Sequence, residues 1–218
     1  MATRTQKKQE NIAEKIITAY KDVVLTAKEM PASVYAFAKQ TGISEAEFYK
    51  HFNSFNDIDV FIWQNVAENT IDALMSSDDF NGYNTREKIL GFFFTLTEAL
   101  NADRSYFVHS LKAQQPLLKN LSGFRTAIEN FAKPVMQQGI ADQEIQELKF
   151  VSERYHEAIW VNTLFILNFW VNDSSKGFEK TDAAIEKSVN LMLELMGKST
   201  LSSVIDFGKF LLQNGLKK

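Results

Sequence analysis

Residues 33–52 read SVYAFAKQTGISEAEFYKHF, and this stretch decides the fold. Its apolar residues fall at helical spacing on either side of Thr41-Gly42-Ile43. Val34, Phe37 and Ala38 share one face of a first short helix, and Ile43, Phe48 and Phe52 give a second its buried side. Ser44 stands at the start of the second helix, where its hydroxyl accepts a bond from an otherwise unpaired first-turn amide. Gly42 takes the positive φ that stops one helix and turns the chain toward the next. Two short helices joined this tightly form a helix-turn-helix pattern, the unit that lays its second helix in the major groove of DNA.

The flanks extend the same helical period. Ile12, Ile16, Tyr20, Val23 and Ala27 predict a helix over 9–26, closed by Met30-Pro31, because proline disfavours helix in the residue before it. Ile58, Phe61, Ile62, Val66 and Ala73 predict a helix over 56–75. The polar run 76–84, with Asp78, Asp79 and Gly82, marks a candidate domain boundary. Beyond it, a helix capped by Thr85 carries Ile89, Phe92, Phe93, Leu96 and Leu100. Helices follow over 106–118, broken by Pro116, and from Ser122, kinked at Pro134. A long helix is predicted over 144–172, another over 181–196, and a final amphipathic one over 200–214 with Leu201, Val204, Ile205, Leu211 and Leu212. Three prolines and nine glycines leave few strand-type turns, so the chain is expected to be all-α.

Composition narrows the function. The 218 residues carry 24 Lys/Arg against 27 Asp/Glu, a formal net charge of −3, so the chain as a whole advertises no polyanionic partner. Arg4, Lys7 and Lys8 form a small basic arm, either a solvated terminus or a reach toward DNA phosphates. There is no cysteine, which removes disulfide, thiol and Cys-type zinc chemistry. With no apolar leader, a cytoplasmic location is expected. The most apolar run, 158–171, is interrupted by Asn162, Thr163 and Asn168. It falls short of the about 20 apolar residues a spanning helix needs.

The stretch 33–52 resembles the DNA-binding end of the TetR family of bacterial transcriptional regulators. The resemblance rests on the first helix, Ser33-Val34-x-x-Phe37-Ala38, the turn Gly42-Ile43-Ser44, and Phe48-Tyr49-x-His51-Phe52 before a fourth helix. It implies an all-α, TetR-like fold, with a three-helix helix-turn-helix head over 1–55, a connecting helix over 56–76, and a ligand-binding and dimerisation domain over 77–218. It implies a ligand-responsive, DNA-binding regulator, a repressor acting as a dimer on a palindromic operator. The implied DNA face is Ser33, Tyr35, Ser44, Glu45, Ala46, Glu47, Tyr49, Lys50 and His51. Two departures weigh against this. The family favours Thr or Ser at Glu47, and a phosphate-touching Lys where Phe55 stands. Residues 44–59 hold Glu45, Glu47, Asp57 and Asp59 against Lys50 alone, which opposes phosphate binding. A glutamate can accept from a cytosine amino group, so one acid suits a specificity contact.

The second domain is implied to enclose a small hydrophobic or amphipathic effector, with Phe93, Tyr106, His109, Phe131, Tyr155, His156 and Trp160 as candidate lining. Residues 158–171 are apolar all round and so require cover on every side. Either they form an internal core helix, or they pair with a second copy in a four-helix bundle through Phe165, Phe169, Trp170, Ile185, Leu191 and Met192. The final helix either packs on the domain, covers a pocket mouth or lies on a membrane. The alternative function is a TetR-fold accessory protein that binds a lipid, isoprenoid or partner and no DNA. Enzyme chemistry has no support. Glu153-x-x-His156 is half of a di-iron motif without its mate. Gly197-Lys198-Ser199 lacks the leading glycine and preceding strand of a phosphate loop. No catalytic residue, metal or cofactor is expected.

Overall fold

The computed structural model describes residues 4–27, 29–113, 121–148 and 151–196. Among these residues there are nine α-helices, three 3-10 turns and no strand. They fall into two compact units, one within Met1–Ala67 and Ala99–Phe124, the other within Glu68–Glu98 and Arg125–Lys218. The division falls inside helices and groups residues 99–113 and 121–124 with the helix-turn-helix head.

The first unit contains α1 (Arg4–Ala27), α2 (Val34–Thr41), α3 (Glu45–Phe48), the start of α4 (Phe55–Met75) and α6 (Arg104–Ala113). Its core is an aromatic cluster. The Phe37 and Phe48 rings meet edge-on at 5.9 Å, and Phe55 packs on both at 5.4 and 5.5 Å. Tyr20 stacks on Phe55 at 5.8 Å. Polar bonds tie α6 to α1 and α4. The Tyr106 hydroxyl donates to the buried carboxylate of Asp59, and Trp63 Nε1 donates to Ser110 Oγ at 3.0 Å. Lys21 pairs with Asp103 at 2.5 Å. Burial and the adjacent Asp59 charge push the hydroxyls of Tyr20 and Tyr106 well above the usual tyrosine range.

The second unit holds the remainder of α4, most of α5 (Thr85–Ala102) and α7 (Ser122–Ala141), and all of α8 (Tyr155–Asn172) and α9 (Glu179–Met196). Phe92, Phe93, Phe131, Ile159, Trp160, Trp170, Ile185 and Val189 fill its interior. Phe92 stacks on Phe131 at 5.2 Å. Asp173 joins α8 to α9. Burial opposes its charge, yet bonds from Ser175 and Thr181 hold its carboxyl below the usual range.

Two expectations change. The helix expected over 144–172 begins at Tyr155, after a 3-10 turn. The segment before it is a strap. Gln143 takes a left-handed φ of 62°, the Ile145 amide bonds to Gly139 O at 3.1 Å, and the Gln146 amide bonds to Met196 O at 3.0 Å. Those long-range bonds replace the helical ladder. Gly139 permits this closeness, since a Cβ there would stand 2.3 Å from Thr85 Oγ1. The cap of α5 is Asn84, not Thr85. Asn84 Oδ1 accepts from the Glu87 amide at 2.9 Å, and Glu87 returns the bond to the Asn84 amide at 2.9 Å, a reciprocal box. The Thr85 amide instead donates to Glu144 at 2.8 Å. The helix expected from Ser122 is α7, and it continues through Pro134, which is exposed. The expected helix over 200–214, Pro116 and Gly197-Lys198-Ser199 lie outside the described residues.

Candidate functional site

The turn at residues 33–52 is built by its caps. Ser33 Oγ accepts from the Ala36 amide and Ser44 Oγ from the Glu47 amide, each at 3.1 Å. Gly42 sits at φ 68°, ψ 25° and donates its amide to Ala38 O. Only Glu45–Phe48 is regular helix, and residues 49–51 continue it as turns, with the Tyr49 amide on Glu45 O at 2.9 Å. Phe37, Phe48 and Phe52 point inward. That leaves Ser33, Tyr35, Ser44, Glu45, Ala46, Tyr49 and Lys50 exposed, with Tyr35 63% and Tyr49 54% accessible. Glu47 is half-buried and pairs with Lys50 at 3.3 Å. His51 is half-buried, and its Nε2 is enclosed without a hydrogen-bond partner.

The acidity of this segment is less forbidding than a residue count implies. Asp59 lies in the core under Tyr106. Asp57 lies in the first turn of α4, capped by Ser54 Oγ, which accepts from the Asp57 amide at 3.2 Å. The Asp57 carboxylate accepts from the Asn53 amide at 3.1 Å and Ser54 Oγ at 3.0 Å. Glu45 and Glu47 are the acids left on the face. Phe55, in the place of a phosphate-binding lysine, belongs to the aromatic core.

In the second unit, one groove has a volume of about 620 Å³. Ile71, Met75, Phe80, Ala127, Phe131 and Val135 line it with Glu68, Asp72 and Lys88. The seven residues expected to line one pocket are dispersed. Phe131 lines this groove. Phe93 is core. His156 lines a separate pocket of about 240 Å³ beside Glu153 and Lys133. Tyr155 donates its hydroxyl to Gln146 O at 2.9 Å, and the Arg125 guanidinium lies over Trp160 at 5.6 Å. Tyr106 and His109 stand on α6 in the first unit. The sequence signal for Ile71 and Met75 was present as an i, i+4 pair continuing the apolar stripe of α4.

The six residues expected at a dimer interface divide evenly. Trp170, Ile185 and Met192 are buried within the unit. Phe165, 47% exposed, Leu191, 58% exposed, and half-buried Phe169 line a shallow groove of about 440 Å³ with Ala184 and Ser188. Val161 and Leu195, not anticipated, are exposed as well, Val161 extending the α8 stripe.

A family model described as the tetracyclin repressor-like C-terminal domain matches residues 88–211, more than half of the chain. The chain belongs to the TetR family. Solved TetR regulators share its fold. One from Syntrophomonas wolfei superposes with a TM-score of 0.67 at 14% identity, covering 84% of this chain and 95% of that one. One from a Shewanella species gives 0.61 at 15% identity, covering 86% and 98%. The fatty acid degradation regulator FadR from Bacillus halodurans gives 0.55 at 18% identity, covering 84% and 96%. No curated protein sequence matches the chain at a significant level. TetR membership makes the chain a member of a family of regulators rather than enzymes. Among the described residues, no cluster of three or more His, Asp or Glu is arranged to hold a metal, and no helix is long and apolar enough to cross a membrane.

Proposed function

We propose that this TetR-family chain is a cytoplasmic, dimeric regulator that binds a palindromic operator through α2 and α3 and releases or engages it in response to a hydrophobic or amphipathic effector. One observation carries the reading. The serine-capped turn faces solvent with Tyr35, Ser44, Tyr49 and Lys50, while its aromatic side is consumed by the core. Hydroxyls and a lysine on such a surface suit phosphate contacts, and the first turn of α3 suits base edges. With Asp57 and Asp59 occupied elsewhere, the remaining acids are few enough for Glu45 to act as a cytosine reader.

The dimer is supported by the outer stripe of Val161, Phe165 and Phe169 with Leu191 and Leu195. A continuous apolar stripe of this kind on a water-facing helix pair calls for cover. The two-fold mate of the same stripe is the self-complementary choice. The effector reading is supported by the apolar groove at Ile71, Phe80 and Phe131, and the naming of the B. halodurans relative as a fatty acid degradation regulator is in keeping with it. Effector binding becomes allosteric only if DNA and effector favour different states.

Glu45 and Glu47 favour a second reading, a lipid- or partner-binding accessory protein without DNA contact. Selection of bound sequences from random duplex DNA, run with the native chain and with Glu47→Thr, separates the two. The regulator enriches an inverted repeat with both proteins. Enrichment of nothing by either would overturn the regulator reading.

A further inference from the structure

The groove of the second unit combines an apolar floor with a rim of mostly negative charge. Buried Phe80, Phe131 and Val135 form the floor beside half-buried Ile71. The Phe80 and Phe131 rings stand 6.4 Å apart. A volume of about 620 Å³ suits a small molecule with a sizeable apolar body. Charge enters through three lining residues. Glu68 and Asp72 are exposed and lie one turn apart on α4, so both carboxylates belong to one face of that helix. Lys88, half-buried, is the single cation among the described lining residues.

Lys88 does not neutralise Asp72. Among the described residues no ion pair joins them, and the Lys88 ammonium lies over the Phe80 ring, 5.5 Å from its centroid. Its place over that ring shows that the aromatic wall accepts a positive charge, as the negative face of a ring does in general. A negative headgroup entering the groove meets two carboxylates for one ammonium. A positive headgroup is attracted by both carboxylates and by the ring faces, with Lys88 alone opposing it.

Resting on the effector role given to this groove above, we propose that its ligand is a cationic amphiphile. Its alkyl or aryl body lies on Phe80, Phe131 and Val135, and its ammonium-type headgroup sits at Glu68 and Asp72. A molecule ending in a free carboxylate is disfavoured at the same rim.

Three decyl compounds of equal chain length, decyltrimethylammonium, decanol and decanoate, test this by calorimetric titration into full-length protein below their micelle concentrations. The ammonium compound is expected to bind about fivefold to tenfold more tightly than decanol, the scale that exposed charge pairs supply, and decanoate more weakly than decanol. Glu68→Gln with Asp72→Asn changes only exposed positions, so the fold is kept. This double variant is expected to abolish the cation's advantage and to leave decanol binding unchanged, which separates the rim from the chain's overall negative charge. Ile71→Trp on α4 and, separately, Ala127→Trp on α7 fill the groove and are expected to weaken binding of all three compounds. Decanoate binding as tightly as the ammonium compound, or a cation preference that survives the double variant, overturns the cationic class while the groove stands. Binding that both tryptophan variants leave untouched, or no binding of any compound by folded protein, overturns the effector role of the groove and the class with it.

Discussion

The head and the α8–α9 pair dispose of their apolar residues in opposite ways. In the head, Phe37, Phe48, Phe52 and Phe55 turn inward against Tyr20, and the outer face is left to serines, tyrosines and Lys50. In α8 and α9 the inner face is already complete with Trp170, Ile185 and Val189, yet Val161, Phe165, Leu191 and Leu195 remain outside. The first surface is finished and polar, suited to a wet, charged ligand. The second is unfinished, and a water-facing row of this kind stands to gain from a protein partner.

The sharpest way to break this contrast is to empty the head's core. Phe48→Ala removes a ring that is fully buried between Phe37 and Phe55, and is expected to cost about 3–5 kcal/mol, read by denaturant unfolding. A loss of under about 1 kcal/mol would mean that the cluster is loosely packed. On the other surface, Phe165→Asp with Leu191→Asp is expected to leave the fold intact and to weaken self-association at least about 100-fold, close to 3 kcal/mol, by sedimentation equilibrium. An unchanged dimer would move the interface elsewhere.

The buried polar tie of the head gives a smaller effect. Tyr106→Phe removes one donor to Asp59 and is expected to cost about 1–3 kcal/mol. The pH dependence has a definite sign. The folded state raises the pKa of Tyr20 and Tyr106 above the unfolded value, so their contribution is whole below about pH 10 and is lost as pH climbs beyond it. Tyr106→Phe should therefore flatten the alkaline limb of a stability–pH curve. Smallest of all, Lys50→Ala is expected to weaken DNA binding severalfold and to reduce the salt slope by about 1, without altering sequence preference.

Much of the head was readable from sequence because its signals are local. The hydroxyls of Ser33 and Ser44, the left-handed Gly42 and the phase of Phe37 and Phe48 all act within a few residues. What resisted reading depends on partners distant in the chain. Nothing near Asp59 announces Tyr106, so its charge was assigned to the DNA face. The strap at 143–146 is held by Gly139 and Met196, and local pattern there still looked helical. Along α8, apolar residues occur on every side, so periodicity carries no phase. Only the packing of α9 decides that Trp170 is inside and Phe165 outside. The groove was missed for a related reason. The expected lining favoured conspicuous aromatics and histidines, whereas the groove draws on Ile71, Met75 and Val135.

The most direct measurement is the affinity of full-length protein for duplex DNA from its own upstream region, titrated against salt. Nanomolar binding at about 100 mM salt is expected, falling linearly in log affinity with log salt, and with two protomers bound per site. No binding to any duplex at low ionic strength, from protein that is folded and dimeric, would contradict the DNA-binding function and leave only the fold.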